Sequence, residues 1–287
     1  MPDRLDPSTY RRLVREALAE DVGPGDVTTA AVVPADVRMS AAIVANAPCV
    51  IAGLDVAREV FAAVDPAIEF VDWRSDGSLC HPGERLATVV GPAAGILTAE
   101  RTALNILQHL SGIATRAREF VEAAGGGIKI LDTRKTIPGL RALAKYAVAC
   151  GGGLNHRVGL YDGILIKDNH IAVAGGVTEA VRRVRATGSL LPVEVEAEAL
   201  DDVDAAVAAG ADIVMLDNMD DETVRAAIRR IGGRARVELS GGMTVERVRR
   251  LADSGADYVS IGAITHSAPA VDISLDIIID HQSSADG

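Results

Sequence analysis

The segment LDTRKTIPGLR, at positions 131–141, places Asp132, Arg134 and Lys135 directly after an apolar run. Such a segment is either a charged surface loop or part of a site for a strongly anionic ligand. Lysine is rare in this chain, since only four of the 29 lysines and arginines are lysine, at positions 129, 135, 145 and 167. An arginine-biased composition would also remove surface lysines. Because a compact ammonium with an adjustable pKa differs chemically from a guanidinium, we expect some of these lysines to act in catalysis.

Three more nitrogen side chains follow within a short stretch. The segment CGGGLNHRVGL (150–160) supplies His156 and Arg157 after a run of glycines, and the strand-like run ILIKDN supplies Lys167. With Arg134 and Lys135 they make five cationic or ionisable side chains within 34 residues of a chain whose net charge is −11. Such a cluster predicts a site for phosphates, carboxylates or both.

Lys167 stands inside a run that is otherwise typical of a buried strand, where a lysine is costly without an anionic partner. Glu196 or Asp217 can supply that partner, and so can a bound anion. The two acids can also hold Mg²⁺ together with a substrate phosphate. Lys167 can alternatively form a Schiff base, as in barrel aldolases, and spacing alone does not separate these possibilities.

Two glycine-containing segments, SGG (240–242) and SIGAITHS (260–267), follow the last two predicted strands. They can be ordinary turns. Glycine-rich loops late in a β/α barrel also expose backbone N–H groups to phosphate, so these segments are candidate phosphate loops.

The elements that must position these groups begin at residue 128, where short apolar runs alternate with helix-like stretches. The runs are IKILDT (128–133), GILIKDN (163–169), PVEVEAE (192–198), ADIVMLDN (211–218), ARVELSGG (235–242) and DYVSIGA (257–263). This alternation predicts βα units and a parallel sheet. No GxGxxG follows the first run, and the regular spacing favours a β/α barrel over an open sheet. Six strands make that barrel incomplete, and its ligands are expected at the carboxyl ends of the strands.

The first section of the chain has a mixed α+β pattern. We expect a helix over 8–21 with Ser8 as its N-cap, an ordered loop over 21–34, strands over 39–53 and 84–96, and a helix over 54–64. A longer helix is expected over 98–127, with Arg101 in its first turn. Because a cation there opposes the helix dipole, Arg101 is expected to serve something outside the helix. The tail 271–280 resembles one more strand or helix.

Composition excludes several classes of function. The net charge of −11 argues against binding to nucleic acid or to anionic membranes. No apolar run approaches membrane-spanning length, and no secretory signal is recognisable. The three cysteines, Cys49, Cys80 and Cys150, are widely spaced without CxxC, which predicts free thiols in a reducing compartment. We therefore expect a cytoplasmic protein.

The block LDTRKTIPGLRALAKYAVACGGGLNHRVGLYDGILIKDNH (131–170) closely resembles the core of the quinolinate phosphoribosyltransferases, also called carboxylating nicotinate-nucleotide pyrophosphorylases. Other blocks resemble that family in the same order: EDVGPGDVTT (20–29), ERTALNILQHLSGIAT (100–115), VEVE (193–196), MLDN (215–218), SGGM (240–243) and GAITHS (262–267). The resemblance covers nearly the whole chain. It implies an α/β protein with an N-terminal open-faced α+β sandwich over 1–112 and an incomplete β/α barrel over 113–269. The tail 270–287 is expected to pack back on the sandwich.

The resemblance also implies an activity and an assembly. The family moves a phosphoribosyl group from phosphoribosyl pyrophosphate to quinolinate and then releases CO₂. The products are nicotinate mononucleotide and pyrophosphate, on the de novo route to NAD. The family forms at least a homodimer, in which the sandwich of one subunit covers the barrel mouth of the other.

Carried onto this chain, the resemblance implies a role for each candidate residue. The quinolinate carboxylates would be held by Arg134, His156 and Arg157, with Thr133 beside them and Arg101 donated by the neighbouring subunit. Lys135 and Lys167 would face the phosphates and the reacting ring. Glu196 and Asp217 would meet the ribose hydroxyls and Mg²⁺, largely through substrate or water. The 5′-phosphate would be held by Ser240, Gly241, Gly242, Ile261, Gly262 and Ala263. The implied catalytic residues are Lys135, Lys167, Glu196 and Asp217.

Three alternatives stay open on the sequence. A related barrel transferase can act on nicotinate or another ring acid, although cations at 134, 156 and 157 favour a dicarboxylate. A binding or accessory protein from molybdenum-uptake loci resembles this family, but that branch departs from DTRKT and KDNH, which are both intact here. The third alternative is an aldolase that forms a Schiff base.

Overall fold

The structure is a computed structural model that describes residues 4–278. Its strands are β1 (Arg38–Ala45), β2 (Cys49–Val50), β3 (Glu69–Asp72), β4 (Leu79–Cys80), β5 (Arg85–Pro92), β6 (Lys129–Leu131), β7 (Ile164–Ile166), β8 (Val193–Ala197), β9 (Ile213–Asp217), β10 (Arg236–Ser240), β11 (Tyr258–Ser260) and β12 (Ile273–Ile278). Its helices are α1 (Arg11–Val22), α2 (Val27–Val32), α3 (Leu54–Val64), α4 (Ala93–Ala124), α5 (Arg141–Cys150), α6 (Asp168–Ala174), α7 (Val177–Ala186), α8 (Leu200–Ala208), α9 (Asp221–Ile231), α10 (Val245–Leu251) and α11 (Ala263–His266). A 3₁₀ turn at Pro7–Thr9 precedes α1.

The described chain forms two compact units. The first consists of residues 4–116, 142–152 and 268–278, and the second of residues 117–141 and 153–267. The boundary predicted at residue 112 falls inside α4, because one continuous helix carries the chain from the first unit into the second. The predicted barrel range 113–269 also includes residues 142–152, which group with the first unit. There the Tyr146 hydroxyl donates to Asp76 Oδ2 at 2.8 Å.

The first unit is built on an antiparallel sheet in the order β12-β1-β5-β3. The inward residues of β1 are Ala and Ile, and they are buried, as are Phe61 and other side chains on one face of α3. The tail returns to this unit, since β12 pairs with β1 from Ala45 opposite Ile273 to Ser40 opposite Ile278. The rest of the predicted tail, 279–287, lies outside the described residues.

Three local predictions in this unit are wrong. Residues 93–96, expected at the end of a strand, form the start of α4 instead. The 21–34 segment contains α2 rather than only a loop, because the Asp26 side chain caps it by accepting from the Thr29 N–H at 2.9 Å. Ser8 does not cap the first helix. It lies within the 3₁₀ turn, and the carboxylate that caps that turn belongs to Asp6.

The second unit contains six parallel strands in the order β6-β11-β10-β9-β8-β7. Its first strand, β6, pairs with its last, β11, as it would in a closed barrel, but β6 and β7 do not pair as strands. Helices α7 to α10 each bury an apolar stripe at three- or four-residue spacing, for example Val224, Ala227 and Ile231 on α9. The predicted α/β class is therefore confirmed, with an incomplete β/α barrel and a separate N-terminal sheet. Among the described residues, no helix has the length and apolar character needed to span a membrane.

Candidate active site

The segment after β6 supplies the first group of cations. Asp132 is fully buried and accepts from the His156 backbone N–H at 2.9 Å, which ties this segment to the one at 153–157. The Lys135 N–H donates to Thr133 Oγ1 at 3.0 Å, and its carbonyl accepts from Thr265 Oγ1 at 2.8 Å. Lys135 also packs closely on Gly262, where a Cβ would lie 2.9 Å from Lys135 Cδ. These contacts fix the lysine stem while the described residues give its ammonium no carboxylate partner.

Two guanidinium groups lie near each other in the same wall. Arg157 donates from Nη1 to the Gly163 carbonyl at 3.1 Å, and Arg134 Nε is buried without a hydrogen-bond partner among the described residues. Burial lowers the pKa of Arg157, and the charge of Arg134 lowers it further. Two cations held this close, one with an unused buried donor, make a strong site for an anion.

The ring of His156 has a defined tautomer. Its Nδ1 accepts from the Arg157 backbone N–H at 2.9 Å, so in this arrangement the ring hydrogen is on Nε2. That Nε2 lies 3.0 Å from Glu194 Oε2 and 3.6 Å from Glu238 Oε2. Both ring nitrogens are therefore engaged. Its predicted contact with a substrate carboxylate would require the ring to give up one of these bonds.

Glu194 and Glu238 form a pair that we call the core carboxyls. Both are buried in the middle of the barrel, with Glu238 only 1% exposed. Burial raises the pKa of Glu194 to about 7. It raises the pKa of Glu238 to about 8, with the charge of Glu194 as the next cause. The donor atoms of these acids and His156 are close enough to hold a metal ion, but the ring presents an N–H instead of a lone pair.

Glu196, Glu198 and Asp217 form a second group, which we call the rim carboxylates. Each offers one oxygen, and the three oxygens lie within 4.8 Å of one another. Hard oxygen donors in this arrangement fit Mg²⁺. Lys167 joins the group, since its Nζ lies 2.5 Å from Glu196 Oε2. The lysine was expected inside a strand, but β7 ends at Ile166 and the Lys167 side chain is 46% exposed.

A tight backbone turn follows Asp217. Asn218 has a φ of 55° and donates from Nδ2 to Asp217 Oδ2 at 2.6 Å, while its N–H donates to the Ser240 carbonyl at 3.1 Å. Gly241 must be glycine beside it, because its φ is 84° and a Cβ would lie 2.2 Å from Asn218 Oδ1. The ends of β9 and β10 are therefore locked together under the rim carboxylates.

The carboxyl ends of the strands enclose two adjoining cavities. The first has a volume of about 330 Å³ and is lined by Thr133, Arg134, Lys135, His156, Arg157, Leu165, Lys167, Met215, Glu238, Ser240 and Ser260. The second, of about 240 Å³, is lined by Thr133, Lys135, Ser240, Gly241, Gly242, Met243, Ser260, Ile261, Gly262, Ala263 and His266. We call them the cationic cavity and the glycine cavity. Lys135 lines both, with Thr133, Ser240 and Ser260.

Most of the predicted site residues line one of these two cavities. Glu196 and Asp217 do not, although Lys167 connects Glu196 to the cationic cavity. Arg101 lies on α4 in the first unit, with a side chain that is 58% exposed and 3.9 Å from Glu100. Lys129 and Lys145 line neither cavity. Lys129 lies over the Tyr258 ring, and Lys145 is buried in α5.

Sequence reasoning missed four side chains at the site. They are two acids, Glu198 and Glu238, together with Ser260 and His266, and they belong to the groups and cavities described above. Glu238 carried a usable signal, because a lone acid inside the apolar run ARVELSGG is as costly as the lysine in ILIKDN. Ser260 and His266 lie in a segment chosen for its glycine and carried no separate signal.

The fold and the cavities define a class of enzyme. An incomplete β/α barrel that places a cation cluster beside glycine-rich loops at its strand ends is a transferase or lyase scaffold for phosphorylated, anionic substrates.

Comparison with known proteins narrows this class. Residues 26–111 match the family described as quinolinate phosphoribosyl transferase, N-terminal domain, and residues 113–276 match its C-terminal domain. The chain is 46% identical to the nicotinate-nucleotide pyrophosphorylase [carboxylating] of Mycobacterium leprae, over 93% of this chain and 96% of that protein. It is 42% identical to a probable enzyme of the same name from Bacillus subtilis, over 95% of each chain. The crystal structure of NadC from Streptococcus pyogenes has a TM-score of 0.93 at 41% identity, covering 97% of this chain and all of that one (100%). The chain belongs to the quinolinate phosphoribosyl transferase family.

Proposed function

We propose that this chain transfers the phosphoribosyl group of phosphoribosyl pyrophosphate to quinolinate and removes CO₂, giving nicotinate mononucleotide and pyrophosphate in de novo NAD biosynthesis. The observation that carries the proposal is the pair of adjoining cavities with Lys135 in the wall of both. A ring acid in the cationic cavity and a phosphoribosyl group in the glycine cavity would meet at that lysine. The names of the relatives support the same reaction.

The cationic cavity suits a pyridine dicarboxylate. Arg134 and Arg157 can each form charge-assisted hydrogen bonds to a carboxylate, and Lys167 lines the same cavity. An anion with two carboxylates would offset the repulsion between the two guanidinium groups better than an anion with one. Thr133 and His156 complete the wall, with His156 positioned by the core carboxyls rather than free to bind.

The glycine cavity suits the 5′-phosphate. Gly241 and Gly242 have φ angles of 84° and 57°, which turn successive backbone N–H groups toward one concave surface. Ile261, Gly262 and Ala263 form the opposite wall, and Ser240 and Ser260 add hydroxyl donors. Lys135 supplies the positive charge.

The rim carboxylates would hold Mg²⁺ and face the ribose hydroxyls. When bound, Mg²⁺ supplies charge neutralisation for the departing pyrophosphate. Glu196 holds Lys167 by an ion pair at 2.5 Å, which keeps the ammonium at the edge of the cationic cavity. The same ion pair disfavours a Schiff-base role for Lys167, because that chemistry needs an uncharged amine.

The residues present match the charges that develop in the reaction. As the bond from the anomeric carbon to pyrophosphate breaks, the ribose becomes positive and nearby carboxylates stabilise it. The ring nitrogen of quinolinate then forms the new bond. Loss of the carboxylate on carbon 2 leaves an electron pair beside the new pyridinium nitrogen, and the surrounding cations stabilise that charge in a preorganised site.

The reaction is tested by supplying phosphoribosyl pyrophosphate and Mg²⁺ with either quinolinate or nicotinate. We expect turnover with quinolinate and about 10- to 150-fold lower kcat/KM with nicotinate, since the loss of one charged hydrogen-bonded contact typically costs about 1.5–3 kcal/mol. Equal turnover of nicotinate would assign the site to a monocarboxylate. Absence of any phosphoribosyl transfer would refute the proposal.

We further propose a homodimer or larger homo-oligomer in which Arg101 of one subunit reaches the site of another. Exposed apolar side chains on the segment 154–161, including Leu160 at 73% and Tyr161 at 78% exposure, support burial by a second copy. Arg101→Ala and Lys167→Ala should each be inactive, yet a reassociated mixture should regain about a quarter of the sites in a two-fold dimer. No recovery despite subunit exchange would place Arg101 in its own subunit's site.

A cytoplasmic location is also part of the proposal. Three buried free thiols support it, and cell fractionation tests it.

A further inference from the structure

The barrel of the second unit has a third cavity at the opposite end of its strands. Its volume is about 310 Å³, and it is lined by the first residues of three strands, Ile164, Ile213 and Tyr258. It lies next to the gap where β6 and β7 do not pair. We call it the lower cavity. It is partly open to solvent.

Three side chains separate the lower cavity from the cationic cavity, because His156, Arg157 and Glu238 line both. Glu238 stands in the middle of β10, between Arg236 and Ser240. Among the described residues it is also the only carboxylic acid that lines the cationic cavity. A carboxyl group that borders both spaces can exchange protons with one and present them to the other.

The surroundings of Glu238 place the proton on this acid rather than on its neighbour. His156 Nε2 lies 3.0 Å from Glu194 and 3.6 Å from Glu238, so the imidazole N–H favours Glu194 as the ionised member. One oxygen of each acid, Glu194 Oε1 and Glu238 Oε1, is buried without a hydrogen-bond partner among the described residues, so this feature is common to both. Burial and the Glu194 charge raise the pKa of Glu238 to about 8, while His156 and the Ser260 hydroxyl oppose that shift.

The other elements around Glu238 bring few further charges. Met215 of β9 and Tyr258 of β11 are its register partners, and the Tyr258 hydroxyl accepts from Arg236 at 2.9 Å. Arg157 lies in the shared lining. Near pH 7 Glu238 is therefore mainly the neutral acid, which does not repel a dicarboxylate in the cationic cavity.

The proposed reaction needs an acid that has not been assigned. When the bond from carbon 2 to its carboxylate breaks, CO₂ leaves and the electron pair stays on carbon 2. One proton must then be added there. Arg134 and Arg157 do not release protons, and Lys167 is held by Glu196 at 2.5 Å. Lys135 is shared with the glycine cavity, where its charge faces phosphate.

We propose that Glu238 is the catalytic acid that protonates carbon 2 after decarboxylation, and that the lower cavity gives its carboxyl group access to water. The proposal rests on the proposed function. The O–H bond of Glu238 breaks as the C–H bond forms, leaving a carboxylate that regains its proton from water. The overall step exchanges one CO₂ for one proton at carbon 2 and needs no oxidant or reductant.

Glu238→Gln tests this assignment, because glutamine keeps the shape and neutrality of the protonated acid but cannot donate its proton in this way. In a rapid-quench single turnover, pyrophosphate release reports transfer and nicotinate mononucleotide reports the protonated product. We expect pyrophosphate release at close to the wild-type rate and product formation about 10²- to 10⁴-fold slower, with quinolinate mononucleotide accumulating. Glu179→Gln, which removes a half-buried carboxylate on α7 that lines none of the three cavities, is the matched control and should match wild type in both steps.

Product formation by Glu238→Gln at the wild-type rate would overturn the proposal. If that variant does not fold, the pH dependence of the wild-type enzyme tests the proposal instead. Its product-forming step should slow as pH rises through about 8, where Glu238 loses its proton, while pyrophosphate release stays constant. A flat profile to pH 9.5 would overturn the assignment. Failure of wild type to release any pyrophosphate would instead refute the transferase itself.

Discussion

Glu194 and Glu196 lie two residues apart on β8 and face the same side of the strand, yet they belong to different chemical regions. Glu196 is a rim carboxylate that holds Lys167 at the barrel mouth, with Glu198 and Asp217 beside it. Glu194 is a core carboxyl that shares a buried space with Glu238 and His156. One turn of the strand pleat therefore separates the proposed Mg²⁺ site from the carboxyl pair that contains the proposed proton donor. Burial and neighbouring charges, not residue type, decide which role a carboxyl group takes.

Among the variants at the rim carboxylates and their partner, Lys167→Ala is expected to have the largest effect on turnover. We expect turnover to fall on the order of 10³-fold, because the variant removes a cation that lines the cavity and leaves Glu196 without its partner. The fold should persist, since the lysine side chain is 46% exposed. Steady-state CO₂ release and circular dichroism measure the two effects. Lys129→Ala is the control, and near wild-type turnover of Lys167→Ala would remove the lysine from the mechanism.

Asp217→Asn tests whether the rim carboxylates bind Mg²⁺. Replacing one charged oxygen donor should weaken the apparent Mg²⁺ affinity by about 10- to 100-fold, while high Mg²⁺ restores much of the rate. Titration of activity against Mg²⁺ measures the shift. An unchanged titration would mean that Asp217 does not contribute to metal binding, and the rim would then serve only Lys167 and ribose.

The smallest expected effect concerns stability and belongs to the core. Because the folded protein raises the pKa of Glu194 to about 7 and of Glu238 to about 8, it holds protons that the unfolded chain has already lost. Stability should therefore fall as pH rises from about 4.5 through 8. Glu238→Gln should flatten this slope, so that its melting temperature relative to wild type improves by at least about 3 °C between pH 5 and pH 9. Parallel slopes would show that Glu238 does not titrate in this range.

The difference between the barrel mouth and the buried core also explains which site residues could be predicted from the sequence. Lys135 and Lys167 were found because side chains that follow parallel strands meet at one end of a barrel. The strands themselves were found from their apolar runs. The short helix α2 was missed, because Gly23, Pro24 and Gly25 just before it suggest a loop, and its cap depends on one aspartate.

The core carboxyls were harder to predict. Glu238 lies in a buried strand, and its importance depends on Glu194 and His156, which come from distant parts of the chain. The tautomer of His156 depends on a backbone N–H that no pattern reveals. The sequence therefore indicated which side chains reach the barrel mouth but not how the protons below them are arranged.

The most direct test of the transferase is the stoichiometry of its products. Quinolinate labelled at the carboxylate on carbon 2 would be supplied with phosphoribosyl pyrophosphate and Mg²⁺, and labelled CO₂ and pyrophosphate would be counted over the same interval. We predict one CO₂ for each pyrophosphate, with nicotinate mononucleotide formed in equal amount. Pyrophosphate release without labelled CO₂, or no release of either product, would contradict the account.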